Sequence, residues 1–269
     1  MDKKRLINYN LKLTVIILIT ILAFTIPIIL AAERYSLNWA GFSFYKPSQD
    51  GMVAITYAAA RSIEVSYLSL PPSDQIIPGF PIAIVTWVGV SPENDGTPVL
   101  IQGGWGGLYD EETYTFDYFT WVEIYPYFPV LRTKVPAEPG DDIDVIVRKE
   151  DLFTWSITIY NPYREPSSVT YPFEIEDPWP GMFYAHFILE APIVNGQLAQ
   201  LPKFSDEYFC MVYIGHVDGS GNYGTYYYNN GWYIKSIIKQ GNYINTSVEY
   251  IPYPEDDDVV HVWWITSKR

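Results

Sequence analysis

Apolar and polar residues alternate along much of the chain with a period of two, the spacing that turns one set of side chains to a buried face and the other to solvent. Ile63, Val65 and Tyr67 alternate with Ser62, Glu64 and Ser66, and Ile157 and Ile159 alternate with Ser156 and Thr158. Ile143, Val145 and Val147 alternate with a set that includes Asp142, Asp144 and Arg148. Each run predicts a half-buried strand. Turn residues fall between such runs at Pro139-Gly140-Asp141, Asp218-Gly219-Ser220-Gly221 and Asn229-Asn230-Gly231, the last predicting a hairpin between tyrosine-rich strands. The pattern predicts on the order of 14 strands, which suits a large antiparallel sandwich of two sheets with about seven strands each. The prolines at 162, 166, 172, 178 and 180 predict a long surface loop, because proline cannot donate to a sheet ladder. No linker composition or repeat period interrupts residues 33–269, which read as one domain.

The N-terminus departs from this pattern. Lys3, Lys4 and Arg5 precede a run from Thr14 to Leu30 that carries no charge, the arrangement of a secretory signal or a signal anchor. Residues 1–32 are therefore expected to be a hydrophobic helix that is either removed or retained as a membrane anchor through residues 13–32. The folded part is expected outside the cytoplasm, secreted or at the cell surface. Composition supports the strand reading, with 24 Tyr, 13 Phe and 9 Trp. Charge narrows the partners. A formal net charge of −14 excludes a phosphate-neutralising surface, so nucleic acid is not an expected partner. The acidic run Glu255 to Asp258 lacks the alternation and glycine of a calcium loop and reads as a solvated turn. Cys210 is the single cysteine and forms no internal disulfide.

Common hydrolase signatures are missing. There is no H-E-x-x-H, no G-x-S-x-G elbow, and no D-T-G or D-S-G, and His186, His216 and His261 are too dispersed to suggest metal ligands. Gly103-Gly104-Trp105-Gly106-Gly107 lacks the Lys and Ser/Thr of a phosphate loop and reads as a mobile turn. No metal or cofactor is expected.

Five ordered segments carry residues unusual for strands. They are Asn38-Trp39-Ala40-Gly41, Thr86-Trp87-Val88-Gly89, Leu100-Ile101-Gln102-Gly103-Gly104, Trp121-Val122-Glu123-Ile124-Tyr125-Pro126, and Ala185-His186-Phe187-Ile188-Leu189-Glu190. In order and spacing they resemble the glutamic peptidases called eqolisins, acid peptidases built as a β-sandwich of two seven-stranded sheets. The resemblance runs from Asn38 to about Phe204 and more loosely to the C-terminus. It implies an acid endopeptidase acting on polypeptides, with Gln102 and Glu190 as the catalytic pair. Glu190 would draw a proton from water and later protonate the leaving amine, while the Gln102 amide would donate to the oxyanion. Trp39, Trp87, Trp121, Glu123 and Tyr125 would bind substrate or support the pair. The chain departs from the family at Ser91 and Gly106, where the family has Asp, and at His186, where it has Glu. His186 is expected to be structural or to lie on the cleft rim, four strand positions from Glu190.

Read without that resemblance, Gln102 is a strand-end polar residue and Glu190 an edge carboxylate. Two other classes then stand beside a peptidase: a non-catalytic sandwich that binds glycan or peptide through exposed aromatic rings, and a structural protein of the cell envelope. A monomer is expected. Asn245-Thr246-Ser247 is a sequon for N-glycosylation at Asn245.

Overall fold

The computed structural model describes residues 32–45, 47–48, 51–52, 54–92, 99–174, 182–217, 223–226, 232–240, 243–251 and 259–268. The expected leader helix up to residue 31, the turns at 218–221 and 229–231, and the acidic run 255–258 lie outside them; Ala32, expected to end the leader, instead opens a strand. In the described residues the regular structure is β, and the main pairing network joins 17 strands. In chain order these are β1 (Ala32–Ser36), β2 (Trp39–Tyr45), β3 (Ala54–Glu64), β4 (Ala83–Ser91), β5 (Leu100–Asp110), β6 (Thr115–Tyr125), β7 (Phe128–Arg132), β8 (Asp142–Lys149) and β9 (Thr154–Tyr160). They continue with β10 (Ser168–Glu174), β11 (Tyr184–Glu190), β12 (Glu207–Phe209), β13 (Tyr213–Val217), β14 (Tyr223–Tyr226), β15 (Trp232–Gln240), β16 (Tyr243–Ile251) and β17 (Val259–Lys268).

They form two sheets. The first runs β7-β6-β5-β4-β11-β2-β15-β1, antiparallel except for the parallel pair of β1 and β15. The second runs β10-β9-β8-β3, and the far edge of β3 is then shared by β12 and β13. From there β13 pairs β14, and β12 leads through β17 to β16. The last residues of β15 also pair β16, which joins the sheets along one side. Along the other side the rings of Phe128 and Phe173 meet at 5.6 Å.

Alternation explains the packing. Ile84, Val88, Ile101, Trp105 and Val122 of the first sheet meet Ile63, Val145, Val147 and Ile157 of the second in one core. Each such side chain contributes about 1.5–3 kcal/mol by leaving water. The opposite face of the first sheet carries a separate cluster of Trp87, Leu100, Trp121 and Ile188, backed by Trp39, Val85 and Phe119. An aromatic cluster on an outer face is what builds the floor of a groove.

Four expectations change. Tyr67 is 63% exposed while Ser66 is buried, because β3 ends at Glu64 and the Ser66 hydroxyl turns inward to Glu207. Pro172 lies in a strand after all, at the sheet edge in β10, where its missing N–H costs no ladder bond. The glycine-rich run is the centre of β5 rather than a turn. A Cβ on Gly104 would collide with the Thr86 carbonyl oxygen, so the close approach of β4 and β5 requires glycine there. Finally, Asn245 is buried on β16 with its Oδ1 accepting the Gln240 N–H at 3.0 Å, which withdraws it from the surface position a glycan needs.

Candidate active site

Register fixes what stands on the groove face of the first sheet. One row across the strands is His186, Gly89, Gln102 and Glu123; the next is Ile188, Trp87, Gly104 and Trp121; the third is Glu190, Val85, Gly106 and Phe119. Period-two alternation sends all three rows to the same side. Above them lies a groove of about 630 Å3, lined by Trp39, Leu100, Gln102, Phe119, Trp121, Glu123, Tyr125 and Glu190 among others. One wall follows directly from Glu190. It is the short hairpin Ile193–Val194 with Gln197–Leu198, turned by Asn195 and Gly196 at φ 51° and 79°, the left-handed pair that a tight two-residue hairpin turn requires.

Glu190 ends β11, where the chain leaves the sheet. Part of the side chain faces the groove, but Oε1 accepts from the Asn38 amide at 3.2 Å and Oε2 from the Trp87 indole N–H at 2.8 Å. Burial pushes its pKa up to about 7, against the opposing bonds from Trp87, Trp39 and Asn38, and the charge of Glu123 adds to the rise. Such a carboxyl can take or give a proton in weakly acidic solution.

Gln102 is 5% exposed and donates from Nε2 to Glu123 Oε2 at 2.6 Å, while its Oε1 is buried without a hydrogen-bond partner. Burial raises the Glu123 pKa and the bond from Gln102 partly offsets this. Gln102 and Glu190 therefore line one groove without touching one another. Two strand spacings and four residues of rise put their Cα atoms on the order of 16 Å apart.

His186 does not reach the groove. It is wholly buried, its Nε2 hydrogen-bonded with Ser91 Oγ at 2.7 Å and its Nδ1 with Ser43 Oγ at 2.8 Å. Burial, reinforced by the charge of Arg34, lowers its pKa to about 3, so the ring is neutral over most of the pH range. Two of the three positions where an acid implied by the resemblance is missing, Ser91 and His186, thus touch. The rings of Trp39 and Trp87 each lie 5.8 Å from the imidazole and 5.3 Å from one another. The third departure, Gly106, leaves space that Phe119 and Val85 fill with apolar atoms.

The expected supporting residues divide. Trp39, Trp121, Glu123 and Tyr125 line the groove, whereas Trp87 is fully buried beneath it and acts only through its N–H on Glu190. Sequence reasoning did not single out Asn38, Ser43 or the 193–198 hairpin as parts of the site. Asn38 stands in a quoted motif, the hairpin carries an Asn195-Gly196 turn pair that is legible in the sequence, and Ser43 carried no recognisable signal.

The two-sheet sandwich thus carries an aromatic-floored groove lined by a carboxyl of raised pKa and, farther along it, by a buried amide. The sequence profile of the peptidase A4 family matches residues 37–257, and the chain belongs to that family of peptidases. Similar solved structures include scytalidoglutamic peptidase with a peptide-based transition-state analogue, at TM-score 0.62 and 18% identity over 86% of this chain and 99% of that one. SCP-B, an eqolisin complexed with the tripeptide Ala-Ile-His, matches at TM-score 0.60 and 17% identity with the same coverage. Aspergilloglutamic peptidase from Aspergillus niger matches at TM-score 0.51 and 20% identity, over 68% of this chain and 99% of that one. No curated protein matches the sequence.

Proposed function

We propose that the groove hydrolyses peptide bonds of polypeptides outside the cytoplasm, with Glu190 as the proton-transferring group and Gln102 as the oxyanion donor. The location rests on the basic, then uncharged, N-terminal sequence. The observation that carries the mechanism is that both side chains line one groove with an aromatic floor.

Ionised Glu190 takes a proton from water, and the oxygen of that water bonds to the scissile carbonyl carbon. The carbonyl π electrons move to oxygen, and the oxyanion accepts a hydrogen bond from an N–H of Gln102. Glu190 then returns its proton to the amide nitrogen as the C–N bond breaks. The spacing suits this division. Carboxylate, water, carbonyl carbon, carbonyl oxygen and amide donor in series span on the order of 8 Å, so the two groups belong on opposite sides of the carbonyl rather than on one water. Asn38 and the two indoles hold the carboxylate in place, and the raised pKa moves the working range toward weakly acidic pH. The test is to incubate the purified protein with a denatured protein between pH 3 and 7 and search for new termini by mass spectrometry. Cleavage is expected from the wild type and not from Glu190→Ala; an equally active variant would remove Glu190 from the mechanism.

A further inference from the structure

The Gln102 amide has two ends and one partner. Nε2 donates to Glu123 at 2.6 Å, and Oε1 is buried with nothing to accept from. A buried oxygen in that condition costs about 1–3 kcal/mol, so the arrangement needs a reason. It also has the wrong polarity for the role assigned to Gln102, because a carbonyl oxygen arriving in the groove needs a donor and the unoccupied end is an acceptor.

We propose that Glu123 is a positioning residue whose protonation turns the Gln102 amide. As a carboxylate Glu123 only accepts, and it holds Nε2 toward itself. As a neutral acid it has one O–H to give, and the amide satisfies it by rotating half a turn so that Oε1 accepts that proton. The NH2 group then takes the free end. The change removes the orphaned acceptor and turns the N–H donors away from Glu123, on a side chain that lines the groove. Gln102 is thus armed by one proton on Glu123, while Glu190 must be ionised to draw a proton from water. The productive form carries a single proton shared between two carboxyls of one groove, and activity should be bell-shaped in pH. This inference rests on the peptidase mechanism above for its consequence, but not for the switch itself.

The surroundings allow Glu123 to hold its proton. Across the groove the titratable neighbour is Glu190, whose interaction with Glu123 disfavours two charges at once. On β5 the titratable groups are Tyr109 and Asp110 at the far end of the strand. On β6 they are Asp117, Tyr118 and Tyr125, and on β7 the cation Arg132 is bound to Asp117 and lies over the Phe119 ring at 3.9 Å. None of these is bonded to Glu123, and burial favours its neutral form.

The full chain labelled with 15N provides the test. The Gln102 side-chain NH2 resonance, assigned by its loss in Gln102→Ala, should shift with pH along a single titration in the wild type. That titration should vanish in Glu123→Gln, whose amide can donate to Oε1 at every pH, and persist in Glu190→Gln. A resonance that does not titrate, or that titrates equally in Glu123→Gln, overturns the proposal. Kinetics on a denatured protein substrate add a second reading. The ratio of kcat/KM at pH 7 to that at pH 4 should rise in Glu123→Gln, and an unchanged ratio counts against the switch. If the resonance titrates as described while no protein shows cleavage, the switch stands and the peptidase mechanism falls.

Discussion

Glu207 is a carboxyl sealed between the sheets, and replacing it with glutamine should make the protein markedly less sensitive to alkali. The residue sits on β12 of the second sheet, fully buried, with Ser66 Oγ donating to Oε2 at 2.6 Å and the Trp105 indole of the first sheet donating to Oε1 at 3.2 Å. Burial holds its pKa well above the value of 4.5 it has when exposed, against the bonds from Ser66 and Trp105. The folded protein therefore keeps a proton that the unfolded chain releases above about pH 4.5. Its contribution is fully present below that pH and is lost as pH rises. The loss is about 1.4 kcal/mol per pH unit for as long as the folded group keeps its proton. Glutamine fits the same contacts. Its oxygen can accept from Trp105, and its NH2 can donate to Ser66 Oγ, whose own proton can pass to the Ser205 carbonyl 3.2 Å away. Chemical denaturation at pH 5, 6 and 7 should show the stability difference between Glu207→Gln and wild type growing by that amount in favour of the variant. Parallel curves would mean that Glu207 is ionised in the folded state and that the burial argument is wrong.

His186 should act in the opposite direction. Its lowered value means that the unfolded chain gains a proton below about pH 6.5 while the folded one does not until about pH 3. His186→Gln should gain about 2–3 kcal/mol on wild type between pH 6 and 4 in the same denaturation assay. Trp87→Phe removes the indole donor from Glu190 Oε2. A hydrogen bond to a charged group contributes about 1.5–3 kcal/mol, so the acid limb of kcat/KM should move up by about 1–2 pH units, and an unmoved limb would deny that bond a role. Gly104→Ala forces β4 away from β5 at the Thr86 carbonyl, and its midpoint of thermal unfolding should fall as expected for a loss of about 1–3 kcal/mol or more.

Local patterns made the sandwich legible. Ile143, Val145 and Val147 are all buried as their alternation predicts, because a strand's inward face is decided by its own side chains. Tyr67 broke the same rule because a buried carboxyl over 100 residues away captured Ser66, a distant partner that alternation does not encode. The glycine run reads as a turn only when the neighbouring strand is unknown; the proximity of Thr86 turns it into a strand centre. The groove residues were recognisable through the family motifs, and Gln102, Glu190, Trp39, Trp121, Glu123 and Tyr125 do share one cavity. What the motifs could not give was register. Four positions of offset separate Glu190 from the row of Gln102, and the same offset puts His186 level with that amide across Gly89. The Ser91 to His186 bond was hidden for the same reason, since two departures 95 residues apart meet only once β4 and β11 are paired.

The most direct test is to compare kcat/KM of Glu190→Gln and Gln102→Ala with wild type on a single peptide substrate at each protein's pH optimum. Losing the proton-transferring carboxyl should cost about 10²–10⁴-fold, and losing the oxyanion donor about 10²–10³-fold. Wild-type rates in both variants would show that the chemistry of this groove is carried by other residues.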